Sequence, residues 1–241
     1  MVLDILAIGA HPDDVELACA GTIAKSSLLG YKVGILDLTE GEMGTRGNRR
    51  IRASEAASAA KILGCVRENL HLPDSRFEVT RPNLKKLIGI IRRYRPRVLL
   101  IPHSSERHPD HVRAHHLARE ARYYAGLKKL TTREGGTLQK EWRPPLCFHY
   151  MQWQMFTPTF IVDISDVYDT RMSAIMAHKS QFYNPSSREP DTVLSQKSFL
   201  VMLETRARFY GQQIGVRYGE PFFSTDTPGV DDMFDLKFLN G

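Results

Sequence analysis

Short apolar runs and helix-compatible stretches alternate through the first half of the chain. Residues 3–10 (LDILAIGA) form a run of strand length, residues 14–29 read as a helix closed by Gly30, and residues 32–39 (KVGILDLT) form a second strand. A stretch rich in Gly and Arg, GEMGTRGNRR, follows. An alanine-rich helix is then expected over 54–63, stopped by Gly64, with a short strand around 69–72. A helix over 83–94, a strand over 97–103 (RVLLIPH) and a helix over 110–125 complete this half, the last one opened by the polar segment SSERHP.

Apolar strands separated by helices imply a mostly parallel sheet covered on both faces. Right-handed crossovers favour an α/β fold with a Rossmann-like, doubly wound order. Further along, residues 127–146 read as irregular, CFHYMQW and FIVDIS as strands, and 167–182 and 196–213 as helices. No repeat or low-complexity linker divides the 241 residues. One domain over 1–241 is therefore expected, with 1–126 as a Rossmann-like core that 127–241 completes.

Composition narrows the setting. Apolar residues at 42% and charged residues at 25% match a soluble globular protein, and no apolar run approaches the roughly 20 residues that span a bilayer. The N-terminus carries Asp4 and no cationic segment, so it does not read as a signal peptide. Cys19, Cys65 and Cys147 are scattered without a CxxC pair, which fits buried thiols in a cytoplasmic, reducing compartment. The formal charge of +6 raises nucleic acid as a partner, but the arginines fall in dispersed groups such as 46–52 and 92–97. With no RNP-type motif, zinc-finger spacing or Gly/Arg tail, they read as solvated helix faces and loop residues, and neither nucleic acid nor membrane is expected as a partner. A homo-oligomer is left open.

Two polar clusters carry the candidate chemistry. GAHPDD places His11, Asp13 and Asp14 directly after the first strand, and ERHPDH places Arg107, His108, Asp110 and His111 after the fourth. In doubly wound sheets these strands are often neighbours, and ligands bind outside their carboxyl ends. Two histidines and a carboxylate are a common zinc set, leaving a second carboxylate and a second histidine for proton transfer. Each cluster also has an ordinary use: an aspartate can cap a helix, and HPDH can be a turn entering a helix. Both clusters at adjoining strand ends would then be coincidence. A dinucleotide site is disfavoured, because Gly9 is followed by AHPDD rather than a glycine-rich turn, and two carboxylates would repel phosphates.

With AHPDD after the first strand and HPDH after a later one, the chain resembles the LmbE/PIG-L family of zinc-dependent N-acetylglucosaminyl deacetylases. LDILAIGAHPDDVELACAGT, VGILDLTEGEMGTRG, YRPRVLL, HYMQW, KSQFY and IGVRYGEPF are similar to its bacillithiol-biosynthesis branch. The resemblance implies removal of acetate from N-acetylglucosaminyl-malate, a small glycoside with an anionic aglycone. It also implies one zinc ion per chain, with His11, Asp14 and His111 as ligands. Asp13 becomes the general base toward water. His108 becomes the proton donor or electrostatic partner, with Asp110 setting its tautomer and charge. Some relatives supply a tyrosine to the oxyanion; the matching region here contains Phe199.

Malate would require cations, and Arg52 and Arg107 are the candidates for its carboxylates or the sugar, because a guanidinium binds a carboxylate through two parallel hydrogen bonds. His115 and His116 read as surface or packing residues. Met151, Trp153 and Met155 alternate as core or wall residues of a strand do. Another N-acetylglucosamine conjugate is an alternative substrate, and a non-catalytic metal- or sugar-binding module is the alternative class. Asp13 argues against the latter, since metal binding alone does not need that carboxylate.

Overall fold

The first apolar run lies in the middle of the sheet. In a computed structural model, which describes residues 1–233, strands β1 (Ile5–Gly9), β2 (Val33–Thr39), β3 (Val66–Leu72) and β4 (Val98–Pro102) alternate with helices α1 (Asp14–Leu28), α2 (Arg49–Leu63), α3 (Arg81–Tyr94) and α4 (Pro109–Ala125). The stretch expected to be irregular contains a small hairpin, β5 (Arg133–Glu134) with β6 (Thr137–Leu138). There follow β7 (Leu146–Tyr150), β8 (Phe160–Asp163), a 3-10 turn at Ser165–Val167, α5 (Tyr168–Ala177), α6 (Lys197–Gln213) and β9 (Gly219–Phe223). The sheet order is β3-β2-β1-β4-β7-β9-β8. The first five of these strands run parallel, and β9 is antiparallel to both its neighbours. Residues 234–241, the end of the expected domain, lie outside the described residues.

Alternation along the strands builds a core on each face. Leu6, Ile8, Leu36, Leu99 and Ile101 pack with Leu87, Ile91, Leu117 and Ala121 of α3 and α4. Ala7, Ile35 and Leu100 pack with Val15 and Ile23 of α1, Leu63 of α2 and Ala174 of α5. Each buried Leu or Ile contributes about 1.5–3 kcal/mol, so the ends of β1 and β4 are held from both sides. A rigid base under those two strand ends is what the loops that follow require.

Among the boundaries that differ from the sequence reading, three flank the loops described below. Helix α2 starts at Arg49 because the Asn48 side chain caps it, accepting from Ile51 N at 3.1 Å. Helix α5 ends at Ala177 rather than reaching 182. Strand β7 stops at Tyr150, so Met151, Trp153 and Met155 belong to the following loop and not to a strand. No helix among the described residues is long and apolar enough to cross a membrane.

Candidate active site

Because β1 and β4 are paired neighbours, the loops leaving their carboxyl ends meet. The sheet reverses its strand order there, which is the crevice where doubly wound folds bind ligands. A cavity of about 240 Å³ opens at this point, lined by His11, Asp13, Asp14, Arg52, Asp74, Glu106, Arg107, His108, His111 and Trp153. Of the eight candidate site residues, all but Asp110 line it directly.

Asp14 is the hinge of the cluster. One carboxylate oxygen, Oδ2, accepts from the backbone N–H of His11 at 2.8 Å and lies 3.5 Å from His11 Nδ1. The other, Oδ1, is 3.1 Å from His111 Nε2. His11, Asp14 and His111 thus offer three donor atoms that all lie within 4.8 Å of one another. His11 Nε2 points the other way, 3.1 Å from Asp74 Oδ1 and 3.4 Å from Asp110 Oδ2. Metal-ligating histidines characteristically give their second ring nitrogen to a carboxylate. The surrounding charge agrees: Asp13, Asp14, Asp74 and Asp110 are all buried, while arginines contact only Asp13 and Asp110 among them. Burial opposes a charge on His11, yet hydrogen bonds to Asp110, Asp14 and Asp74 raise its pKa well above the ordinary range. The same exchange holds Asp14 well below its usual value, with His111 and His11 outweighing its desolvation. The residues therefore fit a divalent cation: an imidazole–carboxylate–imidazole set with excess negative charge around it.

Asp13 is built differently. It occupies the N-cap position of α1, but its side chain makes no capping hydrogen bond, so the ordinary use of an aspartate there is not realised. Its backbone lies at φ 122°, a conformation that L-residues rarely adopt and that costs about 1–3 kcal/mol. Arg52 holds it. One guanidinium nitrogen, Nη2, is 3.2 Å from Asp13 Oδ2 and donates to Pro12 O at 2.6 Å, while Nη1 donates to Gly41 O at 3.0 Å. The fit is close, because a Cβ on Gly41, itself at φ +65°, would lie 1.9 Å from that Nη1. Burial raises the pKa of Asp13, and Arg52 offsets part of that rise. A carboxylate made more basic by burial is suited to accept a proton.

Arg52 thus departs from the sequence expectation. It lies on the buried face of α2, and its fork is spent on Asp13 and two carbonyl oxygens instead of facing a substrate carboxylate. Arg107 stays exposed at the cavity mouth, with its guanidinium 3.9 Å over the ring of Trp153. Asp110 also does other work than expected. Its carboxylate faces His11 and accepts from Ser75 N at 2.9 Å and from Arg113 Nη1 at 2.6 Å. What reaches His108 is the backbone N–H of Asp110, donated to Nδ1 at 3.2 Å as a helix cap. This bond leaves Nε2 as the nitrogen that carries the His108 proton. Burial and the neighbouring His11 and His111 lower the pKa of His108, which favours the neutral ring.

Sequence reasoning missed three contributors. Asp74 follows β3 in the turn LPDSR, where turn chemistry masks it; its other oxygen accepts from Met43 N at 2.9 Å. His178 is fully buried behind the site, 3.1 Å from Glu16 Oε1 without hydrogen-bonding alignment, and no spacing signal marked it. Glu106 bridges two loops, as described below. Phe199 lines the cavity, and no tyrosine does so among the described residues. His115 is a packing residue, its Nδ1 3.0 Å from Pro102 O.

Comparison with known proteins places this geometry. Residues 6–122 match the PIG-L family, described as GlcNAc-PI de-N-acetylase. Diacetylchitobiose deacetylase of Thermococcus kodakarensis is 32% identical over 91% of this chain and 82% of its own length. The crystal structure of the conserved protein TT1542 from Thermus thermophilus superposes with a TM-score of 0.85 at 36% identity, covering 96% of this chain and 99% of that one. The 4-carboxy-2-hydroxymuconate hydratase of Pseudomonas putida shares the fold at a TM-score of 0.79 and 22% identity, over 95% and 98% of the two chains. Fold alone therefore does not choose the reaction. The matched family and the archaeal relative do: the chain belongs to the PIG-L/LmbE family of N-deacetylases.

Proposed function

We propose that the chain hydrolyses the N-acetyl group of N-acetylglucosaminyl-malate, the bacillithiol-pathway glycoside, releasing acetate and the free amine. Deacetylation of another N-acetylglucosamine conjugate is the coarser form of the same reading. His11, Asp14 and His111 would hold one zinc ion. Bound there, the ion supplies Lewis acidity toward the acetamide carbonyl and acidifies water. Asp13 takes a proton from the attacking water as its oxygen bonds to the carbonyl carbon. His108 donates a hydrogen bond from Nε2 to the developing oxyanion, and the proton taken up by Asp13 passes to the nitrogen as the C–N bond breaks. Asp74 and Asp110 orient His11, and Arg52 keeps Asp13 in its strained position.

The observation that carries this reading is Asp13 itself. It is a buried carboxylate beside the donor set, held at φ 122° with no capping role. A binding module has no use for it. Asp13→Asn keeps the shape and loses the base, so kcat for acetate release should fall about 10²–10⁴-fold with zinc content intact. Near-normal turnover of a fully loaded variant would remove Asp13 from the reaction.

A further inference from the structure

Glu106 stands two positions before His108, on the loop after β4. One of its carboxylate oxygens, Oε1, accepts three successive backbone N–H groups, from Gln152, Trp153 and Gln154, at 3.2, 2.9 and 3.3 Å. The other, Oε2, accepts from the backbone N–H of Arg107 at 3.2 Å. Consecutive N–H groups converging on one oxygen form an anion-holding concavity of the backbone. Here the neighbouring loop supplies the anion. The segment after β7 has no regular structure of its own, so this carboxylate fixes where Trp153 stands. At its other face the segment is tied by Arg206, which donates to Gln152 O and to Leu17 O.

Trp153 in turn fixes Arg107, whose guanidinium lies 3.9 Å over its ring. A guanidinium stacked over an indole keeps its N–H edges available to a ligand. Three arginines line the catalytic cavity. Arg52 is committed to Asp13 and two carbonyls, and Arg206 to two carbonyls. Arg107 is the one among them, in the described residues, whose guanidinium forms no hydrogen bond or ion pair. It is a pre-oriented donor fork at the mouth of a sugar-deacetylase site.

We propose that Glu106 is a positioning residue for an aglycone-reading wall: it sets Trp153 through the 152–154 backbone, and Trp153 sets Arg107 to meet the carboxylates of an anionic aglycone. The proposal rests on the deacetylase reading above and adds a means of choosing among N-acetylglucosamine conjugates. Free N-acetylglucosamine has no aglycone to offer this wall; a glycoside with a carboxylate-bearing aglycone has one.

The test compares zinc-loaded wild type, Glu106→Ala, Glu106→Gln, Trp153→Ala and Arg107→Ala. The substrates are N-acetylglucosaminyl-malate, the methyl glycoside of N-acetylglucosamine and the free sugar. Glu106→Ala should lower the preference in kcat/KM for the malate conjugate over the methyl glycoside by about 10-fold or more, the range set by one charge-assisted hydrogen bond. Glu106→Gln, whose amide oxygen still accepts the three N–H groups, should restore most of it. Adding Glu106→Ala to Arg107→Ala should cost little further preference, because both act through one contact. Equal losses on all three substrates, with falling thermal stability, would make Glu106 merely structural. An undiminished preference in Arg107→Ala overturns the proposal, and that exposed variant carries the test if Glu106→Ala does not fold. Wild type that deacetylates the methyl glycoside and the malate conjugate equally well sinks the wall and leaves the deacetylase standing. Wild type that deacetylates none of the three sinks the underlying reading, and this proposal with it.

Discussion

Replacing Arg52 by Ala removes the support under Asp13 and, on the proposed mechanism, leaves the substrate's far end untouched. Arg52 is 4% exposed, and its guanidinium makes two hydrogen bonds to carbonyl oxygens plus the 3.2 Å contact to Asp13. Removing one partner of a buried ion pair costs about 3–5 kcal/mol. Asp13 relieves part of that by taking up a proton, so about 2–4 kcal/mol should remain, which for a domain of this size is a Tm lower by about 5–15 °C. The catalytic effect follows from geometry. Asp13 at φ 122° loses both its ion-pair partner and the tether on Pro12 O, and a displacement of about 1 Å costs on the order of 10²-fold in rate. The loss should fall on kcat and be equal for N-acetylglucosaminyl-malate and free N-acetylglucosamine. Arg52→Lys keeps the charge but cannot span Asp13, Pro12 O and Gly41 O together, so it should lie between. Thermal unfolding and acetate release on the zinc-loaded proteins measure both effects. A loss confined to the malate conjugate, at unchanged Tm, would refute this reasoning and return Arg52 to the aglycone.

Asp74→Asn should weaken zinc affinity by about 10- to 100-fold, because His11 loses the carboxylate behind its second nitrogen; competition with a chromogenic chelator measures it, and unchanged affinity would mean that Asp74 only braces Met43. The cysteines should be nearly inert in the native protein. Burial pushes Cys147 up to about 11 and Cys65 up to about 12, and Cys19 well above its usual value. A thiol at about 11 is thiolate in only about one molecule in a thousand at pH 8, so reaction with a disulfide reagent should be about 10²-fold slower than in urea and should speed up as pH rises. Rapid reaction of native protein at pH 8 would contradict this.

Much of the site was legible because its logic is topological. Alternating strands and helices favour β1 beside β4, which brings the two polar clusters face to face; the choice of His11, Asp14 and His111 among their members came from the family resemblance. What the sequence concealed depends on which way side chains turn. Arg52 reads as a solvated or substrate-facing arginine, yet it faces inward because α2 begins at Arg49, capped by Asn48; arginines in a first turn run against the helix dipole and hid that start. Strand β9 was missed because Pro221 argues against a strand, and it is accommodated because pairing with β7 begins only at Phe222. Asp110 misled through proximity: its backbone serves His108, while its carboxylate reaches across to His11. Asp74 could have been found, as a carboxylate just past the end of a third parallel strand on the same side of the sheet.

The most direct test of the central claim is metal-dependent acetate release. Chelator-treated protein should deacetylate no N-acetylglucosamine conjugate, and zinc titrated back should restore turnover in step with occupancy, saturating at one ion per chain. His111→Ala should neither hold that ion nor recover. Full turnover by metal-free protein, or tight zinc binding and normal turnover in His111→Ala, would contradict the account.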